Sequence, residues 1–451
     1  MKNSIVLLKN FFLAFCILHF AFFSVYCRDA TALDDIKRFV LPNGLTVLHA
    51  ENHNLPLVMV TLIVRAGQIH EPGEKAGLAS LTAHLLSEGT KSRSSRDISE
   101  ALDFIGASLG VSASNDYTIL TLSIIKKDIQ KGFDIFSDVL LYPSFPPHEI
   151  ARVKELIKGS LQHQEEAPSF LADRAFRKEV FGVHPYGRIL EGSVETIDRI
   201  TRNDITQFYS EYFLPNNAIL SVAGDLTPEE LEDILRKYLS GWKETDVPPV
   251  GTETPIPKPE KTVIKIEKDL TQATLVLGNV GIRREDPDYY AVSVMNYIFG
   301  GGGFSSRLMQ SIRDEKGLAY DVRSIFSARK DSGYYQISLQ TKNESANVAL
   351  EEVIAQIQRI MAEPVSDEEL SEAKSFLTGS FMRRLDTNRK IADFFAAAEF
   401  YSLGLDFRKR YPDYINAVTK EDVLRVARKY LSADRYVLVV VGNQKKANLK
   451  Y

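Results

Sequence analysis

Apolar residues fall into two rhythms along this chain, and the two alternate. Leu78, Leu81 and Leu85 recur at i, i+3 and i+7, which predicts a helix over Lys75 to Ser87 with the leucines facing a core. Lys127 to Leu141 reads as a helix, and Ala346 to Met361 as an amphipathic one. Shorter apolar runs read as strands: Leu57 to Arg65, Tyr117 to Ile125, Gln272 to Asn279 and Tyr334 to Thr341. Phe39 to Leu48 holds a Pro42-Asn43-Gly44 turn and is expected to enter a strand pair with Leu57 to Arg65. Alternation of this kind predicts an α+β fold of mainly antiparallel sheet packed by helices.

The pattern also repeats. Thr201-Arg202-Asn203-Asp204-Ile205, through Tyr212 to the strand Ile219–Gly224, recurs 218 positions later as Thr419-Lys420-Glu421-Asp422-Val423, through Tyr430 to Val437–Gly442. Glu149, Lys154, Gly159 and Ser160 recur as Glu369, Lys374, Gly379 and Ser380 at an offset of 220. Two matches in one order at nearly one offset predict two homologous domains, residues 35–242 and 262–446. Between them, residues 243–261 carry Pro248, Pro249, Pro255, Pro257 and Pro259, a composition that favours extended, semi-rigid backbone.

Composition adds bounds. The 451 residues are 44% hydrophobic with a formal net charge of −4, an ordinary globular balance, and no basic or aromatic-basic stripe points to nucleic acid. Lys2 and Lys9 precede an apolar run from Phe11 to Tyr26, which reads as a secretory signal in residues 1–32. The run is short for a membrane span of about 20 residues; an uncleaved segment would make it an anchor. Cleavage after Cys27 or Ala32 satisfies the small-residue rule, and lipidation at Cys27 is disfavoured by the bulk of Tyr26. Both cysteines, Cys16 and Cys27, lie in this segment, so the mature chain would have no disulfide, which suggests a bacterial periplasm.

The stretch Gly77-Leu78-Ala79-Ser80-Leu81-Thr82-Ala83-His84-Leu85-Leu86-Ser87-Glu88-Gly89-Thr90 resembles the zinc-site helix of the M16 (pitrilysin / mitochondrial processing peptidase) family, G-L-A-H-L-L-E-H-x-x-x-x-G-T. In H-x-x-E-H the histidines lie one turn apart and reach one ion, while the glutamate serves as general base on a metal-bound water. Laid over that motif, the first histidine falls on Ser80, the glutamate on Ala83, and only His84 matches. The third ligand of the family is a glutamate on a later helix, which the resemblance places at Ser160. Two ligands of three and the base are therefore absent, and a catalytic zinc usually takes three protein ligands. His84 with Glu88, or His163 with Glu165 and Glu166, offer no three-ligand set and read as solvated helix surface. Ser80, Ala83, His84 and Ser87 share the face that would carry a metal in active relatives, and His84 is expected to be a hydrogen-bonded polar group in a cleft wall.

Other parts of the family pattern are kept. Gly300-Gly301-Gly302-Gly303-Phe304-Ser305-Ser306-Arg307-Leu308, then Ile312-Arg313-Asp314-Glu315-Lys316-Gly317-Leu318-Ala319-Tyr320, looks like the M16 C-domain string G-G-x-x-S-S-R-L…R-E-K-x-G-L-A-Y. The resemblance implies that Arg313 and Tyr320 contact substrate near the scissile bond. Gly317 is a natural helix stop, placing Arg313 on a last turn and Tyr320 at the start of the next strand, where both donors could converge on one carbonyl oxygen. Read alone, Gly300–Gly303 could pass for a phosphate loop, but the required lysine is missing, so close packing and backbone freedom are expected. The family's G-x-x-x-N-A sheet edge, which accepts extended peptides, reads Gly106-Ala107-Ser108-Leu109-Gly110-Val111; main-chain pairing would survive and the asparagine contact would not.

The resemblance covers about residues 35 to 445 and implies the M16 / LuxS-like metallohydrolase fold, half of a clamshell. It implies a zinc-lacking subunit that lends Arg313 and Tyr320 in trans to a zinc-bearing M16 partner acting on extended peptides. This chain would then need no cofactor of its own. The alternatives are a non-enzymatic scaffold or peptide-binding protein of the same fold, and an active metallopeptidase with an unrecognised site.

Overall fold

In the computed structural model, which describes residues 36–450, the apolar runs assemble into two sheets of one connectivity. The expected signal segment and both cysteines lie outside the described residues. The first sheet holds β1 (Lys37–Val40), β2 (Thr46–Glu51), β3 (Leu57–Val64), β4 (Ser108–Ala113), β5 (Thr118–Ile125) and β6 (Ala218–Gly224), in the order β1-β2-β6-β3-β5-β4. The second holds β7 (Thr262–Glu267), β8 (Gln272–Val280), β9 (Ala319–Ala328), β10 (Gly333–Lys342) and β11 (Val437–Gly442), in the order β7-β11-β8-β10-β9. Strip β1 away and the two orders coincide. In each sheet one pair is parallel, β2 with β6 and β7 with β11, and the others are antiparallel. β6 and β11 are buried throughout, and apolar but for Ser221, as strands covered on both faces must be.

The repeated residues have repeated jobs. Thr201 and Thr419 cap the helices Arg202–Tyr212 and Lys420–Tyr430, each side chain accepting the amide of an aspartate three residues on, Asp204 at 3.2 Å and Asp422 at 3.1 Å. Lys154 donates to the carbonyl of Ile200 at 2.5 Å and Lys374 to that of Asn416 at 2.8 Å, each tying down the C-terminal end of a following helix.

The halves also exchange a helix. Pro168–Phe181, from the first half, lies on β8 and β11 of the second, with Leu171, Phe176 and Val180 against Val276, Tyr334 and Val439. Asn388–Phe400 returns the favour on β3 and β6, where Thr61 donates to Asp393 at 2.6 Å. A buried polar knot joins the hairpin turns of the two sheets: Tyr186 donates to Asp116 in the β4–β5 turn, and His184 pairs with Asp331 in the β9–β10 turn at 2.8 Å. Residues 243–261 form no helix or strand.

Two expectations about local structure are corrected. β2 does not pair with β3; the hairpin through Pro42-Asn43-Gly44 joins β1 to β2, and β6 is inserted between β2 and β3. A sequence-distant strand won that place because it is apolar on both faces. The motif helix runs Leu78–Leu85 rather than Lys75–Ser87, because its first free amides are taken by the Glu71 carboxylate, at 3.1 Å from Gly77 and 3.0 Å from Ala79.

Candidate functional site

The face of the motif helix is mostly closed. Ser80 is 4% exposed and Ala83 0%, so of the three aligned positions only His84 looks into solvent. Two members of the face that would carry a metal in active relatives, Ser80 and Ala83, are thus packed. His84 is not the hydrogen-bonded group expected of it; it is exposed, and no side chain among the described residues holds it. Burial pushes the Glu71 carboxyl at the helix start up to about 8, against the two backbone amides that favour its charge.

Ser160 lies exposed on the helix Pro147–Gln164, where its hydroxyl accepts a hydrogen bond from Gln164 at 3.1 Å. Glu88, one turn beyond His84, is engaged by Arg152 at 2.6 Å and Ser95 at 2.7 Å. His163 and Glu166 stand 3.9 Å apart in solvent. Among the described residues no group of three or more His, Cys, Asp or Glu is placed to hold a metal ion. Two hydroxyls and one imidazole at the ligand positions, with a methyl group in place of the base, do not fit the zinc that the family resemblance implies.

The strand beside that helix is differently disposed. Among the described residues β4 closes one end of the first sheet and pairs only with β5, with Gly110 opposite Thr121 and Val111 opposite Leu120. Ser108, Gly110 and Ser112 face outward, and Leu109 and Val111 are half-buried. Its other edge offers free main-chain donors and acceptors.

Arg313 sits in a π-type helix, Met309–Glu315. Gly317, at φ 59°, ends that helix by donating to the carbonyl of Arg313 at 3.0 Å. The chain then enters β9 with Tyr320 as its second residue. The Arg313 guanidinium lies 4.9 Å from the Tyr320 ring centre and 4.6 Å from that of Phe304. Both rings are open, Tyr320 at 84% exposed and Phe304 at 67%. The guanidinium thus lies over both aromatic rings. Asp314, the acidic neighbour, stands 4.0 Å away, the outer limit of an ion pair.

The segment is anchored from below. Glu352, on the helix Ala346–Ala362, accepts hydrogen bonds from Ser311 and Lys316, on either side of Arg313, and from Gln356 at 2.8 Å. Burial alone would raise its pKa; those bonds and the Lys316 charge hold it down to about 2. Arg307 is forked onto Glu369 at 2.6 and 2.9 Å, which fixes the chain entering the segment. Gly300–Gly302 are close-packed, a Cβ on Gly300 falling 2.7 Å from the amide nitrogen of Ser324. The sequence pattern assigns no separate role to Phe304 or Glu352. The available signal for Glu352 was an acid on the buried stripe of its helix, between Ala349 and Val353.

Two family models match the chain: insulinase (peptidase family M16) over residues 46–193, and peptidase M16 inactive domain over residues 199–377. The chain belongs to the M16 peptidase family. Among M16 relatives, the non-peptidase homolog YmxG of Helicobacter pylori is 29% identical, covering 89% of this chain and 92% of that protein. A Bacillus subtilis protein named uncharacterized zinc protease YmxG is 27% identical, covering 90% and 98%. A crystal structure of a peptidase M16 inactive domain from Pseudomonas fluorescens superposes with a TM-score of 0.85 at 29% identity, over 91% of this chain and 98% of that one. The two-sheet architecture is therefore the M16 fold, and the closed motif helix places the chain with inactive-type members.

Proposed function

We propose that this chain is the zinc-lacking subunit of a heterodimeric M16 peptidase, lending Arg313 and Tyr320 in trans to a zinc-bearing sister chain that cuts extended peptides. The observation that carries the reading is a contrast within one molecule. Of the positions aligned with the family's zinc site, Ser80 and Ala83 are packed and Ser160 accepts from Gln164, while Tyr320 is exposed, Arg313 is partly exposed, and the segment that carries Arg313 is braced by Glu352. Preorganised donors aimed at a developing oxyanion contribute about 3 kcal/mol each, so such a pair is worth supplying to another chain's site. The free β4 edge supplies main-chain pairing for an extended peptide.

The purified chain is expected to hold no stoichiometric zinc and to cleave nothing alone. Mixed with a zinc-bearing M16 sister it restores cleavage, and Tyr320→Phe lowers turnover without blocking assembly. Full turnover by an assembled Tyr320→Phe heterodimer would remove the in-trans role.

A second reading, a peptide-binding or scaffold protein without any enzymatic role, is favoured by the non-peptidase relative from Helicobacter pylori. It predicts that Arg313 and Tyr320 are dispensable. For localisation we propose export to the periplasm through residues 1–32. No helix among the described residues is long and apolar enough to cross a membrane, so attachment to one would rest on that segment being kept or lipidated.

A further inference from the structure

We propose that the crevice where the β2–β3 loop of the first half meets the second half is a binding site for an apolar monocarboxylate, an acyl chain of medium length with one anionic head. The proposal goes beyond the peptidase-subunit reading and does not depend on it, since neither Arg313, Tyr320 nor any residue of β4 lines this crevice.

The first support is a cavity on a domain boundary. About 500 Å³ of space lies between the end of β2 and the start of β3 on one side, and residues 385–391, which lead into the helix Asn388–Phe400, on the other. That volume falls within the about 300–1,000 Å³ of small-molecule sites, which favour the meeting of domains. The floor is apolar, built from Ala50, Leu57, Met59, Leu385 and Ile391. Leu55 forms part of the wall and is 58% exposed. Hydrogen bonds hold the two walls together: Asn52 donates to Asn388 at 2.7 Å, and Asn388 donates to the carbonyl of Leu57 at 3.4 Å.

The second support is a cation without a counter-charge. Arg389 lines the cavity half-buried, and among the described residues no carboxylate pairs with it. The two acids that line the same cavity are engaged already, Asp386 by Lys390 at 2.9 Å and Glu51 by His53 at 2.7 Å. A guanidinium matches a carboxylate better than any other side chain does, through two parallel N–H bonds. Arg389 also stands in the first turn of a thirteen-residue helix, where the helix dipole favours the same sign of charge. An apolar floor beside a spare guanidinium calls for one molecule that has both parts, a hydrocarbon tail and a carboxylate head.

The test is calorimetric titration of the purified full chain with octanoate, decanoate and dodecanoate below their micelle-forming concentrations. Decanamide serves as the uncharged head, and hydrogen–deuterium exchange reads the place of binding. Affinity should rise about fourfold for each methylene buried until the cavity is full. Decanamide should bind about tenfold more weakly than decanoate, and residues 50–59 and 385–391 should gain protection. Arg389→Gln should bind decanoate and decanamide alike, Arg389→Lys should keep part of the preference, and Leu55→Asp should weaken every member of the series. Leu55 and Arg389 lie outside the apolar cores, so these variants report on binding rather than folding. Equal affinity for the two heads, an unchanged preference in Arg389→Gln, or protection confined to other segments would each overturn the proposal. So would the absence of binding by all three carboxylates. None of these outcomes touches the reading of Arg313 and Tyr320, which stands or falls on the heterodimer.

Discussion

Replacing Glu352 by glutamine removes one charge and almost no volume, and the structure sets the size of the consequence. The carboxyl of Glu352 is held from an ordinary 4.5 down to about 2 by bonds that exist only in the folded chain. A group with a depressed folded pKa contributes its stability in full above the unfolded value and loses it as pH falls through the folded one. Here that window runs from about 4.5 to about 2. At about 1.4 kcal/mol per pKa unit the contribution at pH 7 is about 3 kcal/mol; Lys316 is half-exposed, so solvent screening trims the realised figure toward about 2 kcal/mol.

The assay is urea denaturation of wild type and Glu352→Gln, followed by circular dichroism at pH 7 and at pH 3, with hydrogen exchange of residues 309–318 read alongside. The gap at pH 7 should be about 2 to 3 kcal/mol and should shrink by more than half at pH 3, where the wild-type carboxylate has lost most of its advantage. Exchange in 309–318 should rise at pH 7 in the variant, because both anchors of the Arg313 segment are lost together. An equal gap at the two pH values would refute the reasoning, since it would show that Glu352 acts by shape rather than by charge.

Three other outcomes follow from the same geometry. Thr201→Ala and Thr419→Ala should each cost about 1 kcal/mol in thermal unfolding, because each removes one capping acceptor from equivalent helices; a cost at one site and none at the other would break the equivalence of the repeats. Tyr186→Phe should cost about 1 to 3 kcal/mol by leaving the buried Asp116 carboxylate without its donor, and Asp116→Asn in the same background should recover part of that loss; no recovery would mean the knot between the hairpins is held by packing alone. The combined substitution Ser80→His, Ala83→Glu and Ser160→Glu should fail to give one zinc per chain by metal analysis and should lower the melting temperature, because positions 80 and 83 are sealed and overpacking there costs about 1 to 3 kcal/mol; stoichiometric zinc at an unchanged melting temperature would show that the face opens readily.

What the chain disclosed in advance depended on how local the cause was. The capping threonines, the Gly317 stop and the apolar periods act within one or two turns, and each was legible as a short pattern. The duplication was legible because the same short patterns recur at one spacing. The pairing of β2 with β6 rather than β3 was not, since it is settled between residues far apart, as at Thr46 and Ile219, by which strand can be covered on both faces. The exchanged helices were invisible for the same reason: the apolar stripe of Pro168–Phe181 says that it packs on a sheet and does not say whose.

The candidate site divides along the same line, and that division bears on how it works. Missing ligands are a property of single positions, so Ser80, Ala83 and Ser160 could be read straight off the motif. Whether those positions still face a cleft depends on neighbours brought from elsewhere, and Ser80 and Ala83 are packed against theirs. Arg313 and Tyr320 were legible as residues seven apart, but their arrangement was not. Phe304 reaches the guanidinium from a turn before the helix, and Glu352 braces it from a helix after the strand. A guanidinium lying over two rings, on a segment tied through Ser311 and Lys316, loses little further freedom when it meets a carbonyl. Of these braces Glu352 lies outside the string that carries the resemblance to the family, while Phe304 and Lys316 lie within it. A pair kept only by inheritance would have no need of a buried carboxylate beneath it, which is why the variant at Glu352 tests function as much as stability.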